Sequence, residues 1–104
     1  TLSSALSGSY NSAVLAKNMF LEEVTGKFIH VFDSLSATVG ETVIALKINE
    51  LAKLNLSELE IVEKVTKYIK EMKTYFVLES LNHLVKAGRM NSIMAKIATL
   101  LSIK

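Results

Sequence analysis

The chain of 104 residues contains no cysteine, no proline and no tryptophan, and only four glycines. Without cysteine it has no disulfide framework, no thiolate zinc site and no thiol nucleophile, and this composition fits a reducing compartment, the cytoplasm. Average usage would supply about five prolines to a chain of this length. Because the chain also lacks an initiator methionine and stops while it is still apolar, we expect it to be a piece of a longer protein.

Long stretches of one character are also missing. The 12 Lys and Arg residues and 10 Asp and Glu residues give a net charge of +2, and no run of like charges indicates a nucleic-acid partner. No apolar run reaches the roughly 18 residues of a membrane span, and the N-terminus lacks the pattern of a signal peptide. Half of the residues are apolar, which predicts one small globular domain without stable membrane insertion.

The order of apolar patterns predicts an α/β fold. Strands are expected near 28–33 and 74–78, and helices near 9–25, 37–53, 57–72, 80–87 and 91–102. The stretch "KFIHVFDS" is apolar on both faces except for His30, which is typical of a strand covered on both sides. Strands that alternate with helices predict a parallel sheet. Two strands do not make a stable sheet, so "TLSS" is predicted to end a third strand and other strands to come from elsewhere.

Helix starts, stops and buried faces follow from local spacing. Ser57 and Glu60 have capping-box spacing, Glu60 and Lys64 form a predicted ion pair, and Gly26 and Gly88 follow the first and fourth helices as caps. The predicted buried faces of the first three helices consist of Ala13, Ala16, Phe20 and Val24; Val39, Val43, Ile44, Leu46, Ile48 and Leu51; and Ile61, Val65, Tyr68 and Met72.

The last predicted helix carries an apolar face with little core left to cover. Its members are Ile93, Ile97, Leu100 and Leu101. A face of this kind in so short a chain predicts self-association, or contact with another exposed apolar surface.

Three polar segments are predicted to meet at one edge of the sheet. Residues 1–9, 33–36 and 79–80 follow or precede predicted strands, and ligands of open α/β sheets gather beyond the carboxyl ends of the strands. The first segment offers the hydroxyls of Ser3, Ser4, Ser7 and Ser9 and the amide of Gly8. These donors lie before a helix whose dipole favours an anion. The alternative is that one serine simply caps the helix.

Other candidate chemistry is weaker. "SSALSGS" has neither the spacing of a phosphate loop nor that of a serine-hydrolase elbow, and neither His30 nor His83 has a partner at metal-ligand spacing. His30 lies between Phe28 and Phe32 as a packing residue, and His83 is predicted on a helix surface. Asp33 is a possible general base, although "DSLS" reads more readily as a turn into the next helix.

Three strings together resemble one family. "SSALSGSYNSA", "VFDSLSATVG" and "TYFVLESLNHLVKAGRMNSIMAKIATLLSIK" are similar to the DegV family of bacterial fatty-acid-binding proteins, over essentially the whole chain. Its members carry "SSxLSGTYxSA", a strand that ends in Asp-Ser, and a Leu-x-x-Leu-x-x-Gly-Gly-Arg turn. Here Ser9 replaces the family threonine, and Ala87 replaces the first glycine of the turn.

The resemblance implies a two-lobed α/β protein with the EDD fold, of which this chain is an incomplete, helix-rich part. Residues 1–79 would belong to the first, sheet-containing lobe, and residues 80–104 would cross toward the second. The family encloses a long-chain fatty acid between its lobes and presents the carboxylate to a kinase subunit that binds ATP. By this resemblance Ser4 contacts the carboxylate with Ser3 and Ser7 close by, and Arg89 faces the kinase or the phosphate. A second family contact, a Thr-Ser segment upstream, lies outside the chain.

The resemblance implies neither a catalytic residue nor a cofactor or metal. Two other readings stay open. One is an enzyme of phosphoryl or acyl transfer that uses Asp33 and the serine loop. The other is a structural half-domain that binds nothing by itself.

Overall fold

Helices make up most of the regular structure. The computed structural model describes residues 1–77, 79–91 and 94. Within them the helices are α1 (Ser9–Glu23), α2 (Val39–Ala52), α3 (Glu58–Glu71) and α4 (Asn82–Lys86). Each lies inside its predicted range and is shorter at one or both ends. The chain divides into two units, Thr1–Thr74 and Tyr75–Lys104.

Helix α3 begins where the sequence predicts. The Oγ of Ser57 accepts a hydrogen bond from the amide of Glu60 at 3.2 Å, which satisfies one of the free N–H groups of the first turn. The predicted pair Glu60–Lys64 is not among the ion pairs of the described residues, where Lys47 instead meets Glu50 at 3.3 Å. Capping by the serine therefore defines the start of this helix.

The core of the first unit lies between α2 and α3. It consists of Ile44, Leu51, Val65 and Ile69, surrounded by Phe32, Ile48, Leu56, Ile61, Tyr68 and Met72. The buried face predicted for α3 is confirmed. The face predicted for α2 is too wide, because Val39 and Leu46 are 72% and 63% exposed. The neighbour of α2 among the described elements is α3, and one helix covers only a narrow stripe.

Helix α1 has no buried residue. Of the face predicted there, Ala16 and Phe20 are exposed while Ala13 and Val24 are half-buried, so the described part of the chain covers this face only in part. Leu15 and Met19, outside the predicted face, are exposed as well. The helix ends two residues before its predicted limit, because Val24 already has extended backbone angles. Gly26 does have the expected positive φ of 78°, and it turns the chain after the helix rather than capping it directly.

The predicted strands do not appear as strands. Residues 28–33 and 74–77 have no assigned regular structure in the described part of the chain, and residue 78 lies outside it. A strand is defined by its hydrogen-bonded neighbours, and the chain was expected to lack most of them. The parallel sheet therefore remains a prediction.

One pair of backbone hydrogen bonds nevertheless has the parallel pattern. The amine of Thr1 donates to the carbonyl of Phe32 at 2.8 Å, and the amide of Ser34 donates to the carbonyl of Thr1 at 3.1 Å. In a parallel ladder a residue bonds in this way to the two residues that flank its partner, here Asp33. The start of the chain thus lies beside the predicted strand 28–33, as expected for "TLSS".

The second unit is described less fully. Helix α4 is two residues shorter at its start than predicted and one residue shorter at its end, and the predicted helix 91–102 lies largely outside the described residues. None of the helices described is both long and apolar enough to cross a bilayer. The assignment of residues 1–79 and 80–104 to two lobes stays a prediction.

Candidate ligand-binding site

Ser3 is the centre of the loop that precedes α1. Its amide donates to the carbonyl of Ser36 at 2.9 Å, and its own carbonyl accepts from the amides of Leu6 and Ser7 at 3.0 and 3.1 Å. The Oγ of Ser3 accepts from the amide of Ala5 at 3.3 Å. The residue is fully buried. Ser3 thus folds the loop and joins it to the loop after the predicted strand.

Ser4 is exposed and lies beside Asp33. Its amide donates to Oδ1 of Asp33 at 3.1 Å, and the amide of Leu35 donates to the same oxygen, also at 3.1 Å. The bond from Leu35 is that of an Asx turn, so the prediction of a turn at Asp33 is confirmed. Two of the three predicted polar segments therefore meet.

The carboxyl of Asp33 is ionised at neutral pH. Desolvation raises its pKa, but hydrogen bonds from the Ser4 side chain and from the amides of Leu35 and Ser4 lower it. The net result is a pKa below the usual aspartate value. A carboxylate of lowered pKa is a weaker base than an ordinary one.

Ser7 and Gly8 lie at the start of α1. The Oγ of Ser7, a half-buried residue, accepts from the amide of Ser9 at 3.2 Å. Gly8 occupies the N-cap position with no side-chain cap, and the first turn contains no acidic residue. First-turn amides have no acceptor inside their own helix, and the helix dipole favours an anion near them by roughly 0.3–1 kcal/mol. Ser7 thus caps the amide of Ser9, while the N-cap residue itself has no side chain that would compete with an anionic ligand.

A buried serine pair under this loop was not predicted. The hydroxyl of Ser34 donates to the carbonyl of Ser36 at 3.1 Å and accepts from the amide of Ser36 at 3.1 Å. The hydroxyls of Ser36 and Thr74 are 2.8 Å apart. A Cβ on Gly40 would lie only 2.0 Å from Oγ of Ser36. The signal in the sequence is Ser-x-Ser followed by glycine four residues later, in "SLSATVG".

The same loop holds two residues other than glycine at positive φ, Leu35 at 54° and Thr38 at 47°. This region is unfavourable for side chains with a Cβ, above all for β-branched ones. Asp33 accepts the amide of Leu35, and the carboxylate of Glu41 accepts the amide of Thr38 at 3.1 Å. Side-chain hydrogen bonds therefore hold the loop in this conformation.

Arg89 and residues 79–80 belong to the second unit, Tyr75–Lys104, which is described separately from the serine loop. The amide of Arg89 donates to the carbonyl of Leu84 at 3.0 Å, while the amide of Gly88 donates to that of Val85 at 3.1 Å. With Gly88 at a φ of 72°, these bonds form a Schellman motif that ends α4, as the glycine predicted. The guanidinium of Arg89 also donates to the carbonyl of Ala87.

Both histidines are exposed, which agrees with the surface position expected for His83 but not with the packing position expected for His30. The ring of His30 meets Phe32 edge-on with centroids 4.5 Å apart, and desolvation, helped by the charge of Lys17, lowers the pKa of His30. His83 is exposed on α4. Within the described residues no cluster of three His, Asp or Glu side chains is placed to hold a metal.

Two cavities flank the predicted strand 28–33. One of about 270 Å³ reaches Ile44 and Ile48 on α2. The other, of about 280 Å³, contains Asp33 at the serine loop and continues along Phe32 to Ile69 on α3. The second cavity therefore has apolar walls beside Asp33, the residue that accepts the Ser4 amide.

Comparison with known proteins identifies the family. The model of DegV family COG1307 matches residues 1–104. DegV domain-containing proteins of Streptococcus pyogenes serotype M1 and Streptococcus pneumoniae (strain ATCC BAA-255 / R6) are each 42% identical over the whole chain. The chain covers 37% of the length of each of these relatives.

A solved structure agrees with this result. The crystal structure of a DegV-family protein from Ruminococcus gnavus ATCC 29149, described with vaccenic acid, is 57% identical in sequence and superimposes with a TM-score of 0.84. The superposition covers 88% of this chain and 33% of that protein. The resemblance seen in the serine-rich strings is thereby confirmed, and the chain belongs to the DegV family.

Proposed function

We propose that the chain forms part of a protein that binds a long-chain fatty acid. The observation that carries this proposal is the superposition on a DegV-family structure described with vaccenic acid, at 57% identity. The local geometry supports it, because a fatty acid needs hydrogen-bond donors at its head and carbon along its tail. Here a serine loop adjoins a cavity lined by Phe32 and Ile69.

Ser4 is the proposed contact of the fatty-acid carboxylate. It is exposed, and it lies in the loop that leads to the N-terminus of α1. Ser7 and the amide of Gly8 stand next to it as further donors. Ser3, proposed with them, is fully buried, so its part is to hold the loop rather than to meet the ligand first.

The proposed partner is a kinase subunit that binds ATP and phosphorylates the bound fatty acid to an acyl phosphate, in the cytoplasm. Arg89 is assigned to the contact with that partner or with the transferred phosphate. Arg89 is the last residue of the Schellman motif that ends α4. Hydrogen bonds from the amides of Gly88 and Arg89 fix the backbone there, which supports this assignment.

Under this proposal the protein is a carrier and not an enzyme. An enzyme of phosphoryl or acyl transfer would need a base, and the candidate base is Asp33. Its carboxylate already accepts two backbone amides and has a lowered pKa, which makes it a poor proton acceptor.

The alternative of a structural half-domain has an observation in its favour. Helix α1 buries none of its residues, and the chain covers only 37% of the length of its streptococcal relatives. Within the described residues this helix therefore has little to pack against, and the isolated chain need not bind the ligand of the whole protein.

The proposal is tested by extracting lipid from a purified full-length protein that contains this chain, followed by mass spectrometry. We expect one fatty acid per protein molecule, and none after delipidation until fatty acid is added back. The same extraction from the isolated chain separates carrier from half-domain. Absence of fatty acid from the full-length protein, before and after addition, would contradict the proposal.

A further inference from the structure

Asp33 already occupies the donors that a fatty-acid carboxylate would use at Ser4. The Ser4 amide donates to Oδ1 of Asp33 at 3.1 Å, and the Leu35 amide donates to the same oxygen. The Ser4 side chain also lowers the pKa of this carboxyl. The exposed serine of the loop thus faces an internal anion.

The carboxylate of Asp33 stays ionised in its surroundings. The cavity that contains Asp33 is also lined by Tyr10, His30 and Lys70, and the cavity on the other side of the strand contains Thr1 and Glu41. The lowered pKa keeps Asp33 ionised at neutral pH. Two carboxylates that share one serine repel each other, and the charged form of each is disfavoured.

We propose that Asp33 is a resident carboxylate that competes with the fatty-acid carboxylate for Ser4, and that it sets the preference of the site between charged and neutral lipid head groups. This inference rests on the proposed function. It makes Asp33 a specificity residue that weakens the binding of an ionised acid. A fatty alcohol of the same chain length carries no charge and escapes this repulsion.

Asp33→Asn separates charge from structure. The Oδ1 of asparagine still accepts the amides of Ser4 and Leu35, so the turn is kept while the charge is removed. The variant is made in the full-length protein, its fold is checked by circular dichroism, and binding of palmitic acid and hexadecanol is measured by displacement of a fluorescent lipid. We expect palmitic acid to bind roughly tenfold more tightly than to the parent protein, because the like charge beside the ligand carboxylate has been removed. Hexadecanol should bind equally well to both.

Asp33→Ala is the matched control, because it removes the charge and the acceptor together. We expect this variant to weaken both ligands, since the loop loses two of its anchors. Unchanged affinity of Asp33→Asn for palmitic acid, or equal changes for acid and alcohol, would overturn the inference while the proposed function stands. Failure of the parent protein to bind palmitic acid would overturn both.

Discussion

Serine has two separate uses in the loops around Asp33. Ser3, Ser34 and Ser36 are buried, and each hydroxyl has a hydrogen-bond partner, as burial of a polar group requires. Ser4 is exposed. The buried serines thus hold the loops together, whereas the exposed serine is a candidate ligand contact. Burial in the structure distinguishes these two uses.

Removal of the Ser4 hydroxyl should weaken fatty-acid binding. Ser4→Ala deletes one hydrogen bond to a charged group, worth roughly 1.5–3 kcal/mol, so the affinity should fall by about one to two orders of magnitude. Displacement of a fluorescent fatty acid from the full-length protein measures this. Ser4→Thr keeps the hydroxyl and serves as the control. If a folded Ser4→Ala protein binds fatty acid as tightly as the parent, Ser4 does not contact the carboxylate, and the serines of the loop only cap the helix.

Arg89→Ala completes this experiment at the other proposed contact. Most of the binding free energy comes from the buried acyl chain, at about 0.8 kcal/mol per CH₂, so fatty-acid affinity should hardly change. Phosphorylation by the kinase subunit should fall sharply. An Arg89→Ala protein that loses fatty acid as Ser4→Ala does would show that the arginine holds the ligand itself.

Gly40 should not tolerate a side chain. A Cβ there would lie 2.0 Å from Oγ and 2.7 Å from Cβ of Ser36, so Gly40→Ala must displace Ser36 and its bond to Thr74. Overpacking of this kind costs roughly 1–3 kcal/mol, although alanine otherwise favours a helix. Urea unfolding of the full-length protein measures the loss.

Two variants test the cause. At Gly8 a Cβ would meet nothing within 4 Å, so Gly8→Ala should lower the free energy of unfolding only by the preference of the N-cap for glycine over alanine, about 0.5–1 kcal/mol. In a Ser36→Gly background, Gly40→Ala should cost much less than in the parent, because contacting residues are not additive. Equal costs in both backgrounds would contradict the steric explanation.

The start and end of a helix depend on residues within one turn, so the sequence predicts them well. Ser57 caps α3, and Gly88 ends α4, as expected. Burial and strand pairing depend on distant neighbours. Local spacing therefore predicted too wide a buried face for α2. It also predicted strands at 28–33 and 74–78, and the described residues of these segments have no strand assignment.

The candidate site follows the same division. The serine loop stands out in composition, and the turn at Asp33 is a local signal. Contact between the two loops is not local, because it joins Ser3 to Ser36 and Ser4 to Asp33 across about 30 positions. The hydroxyls of Ser36 and Thr74 meet across 38 positions, so spacing alone did not reveal this pair.

The cap of α3 provides a test at the scale of the element. Ser57→Ala removes the acceptor of the Glu60 amide and should reduce the free energy of unfolding by about 1 kcal/mol. Ser57→Asp keeps an acceptor and adds a charge that the helix dipole favours, so it should retain full stability. Urea unfolding of both variants gives the comparison, and equal loss in the two would show that this cap does not stabilise α3.

At the scale of the whole molecule, the core of the described residues involves two of the four helices. Ile44, Leu51, Val65 and Ile69 are buried between α2 and α3, while α1 leaves Leu15, Met19 and Phe20 exposed. In a protein about three times as long, such as the streptococcal relatives, further chain is available to cover an apolar helix. The isolated chain has no such cover among its described residues, and exposed apolar surface of this kind promotes association.

The isolated chain should therefore self-associate, and α1 should take part. Leu15 and Met19 are four positions apart on one face of α1 and are 61% and 59% exposed, so replacing both by glutamine removes the apolar stripe without a helix-breaking residue. Sedimentation velocity over a range of concentrations should show oligomers of the parent chain and a marked shift toward monomer in Leu15→Gln/Met19→Gln. Leu59→Gln on α3, at a leucine that is even more exposed (73%), is the control and should leave the oligomers unchanged. The self-association predicted from Ile93, Ile97, Leu100 and Leu101 rests on residues outside the described part of the chain. Oligomers that persist in the α1 variant would assign the association to the predicted helix 91–102 instead of α1. A parent chain that sediments as a monomer at every concentration would contradict both predictions of self-association.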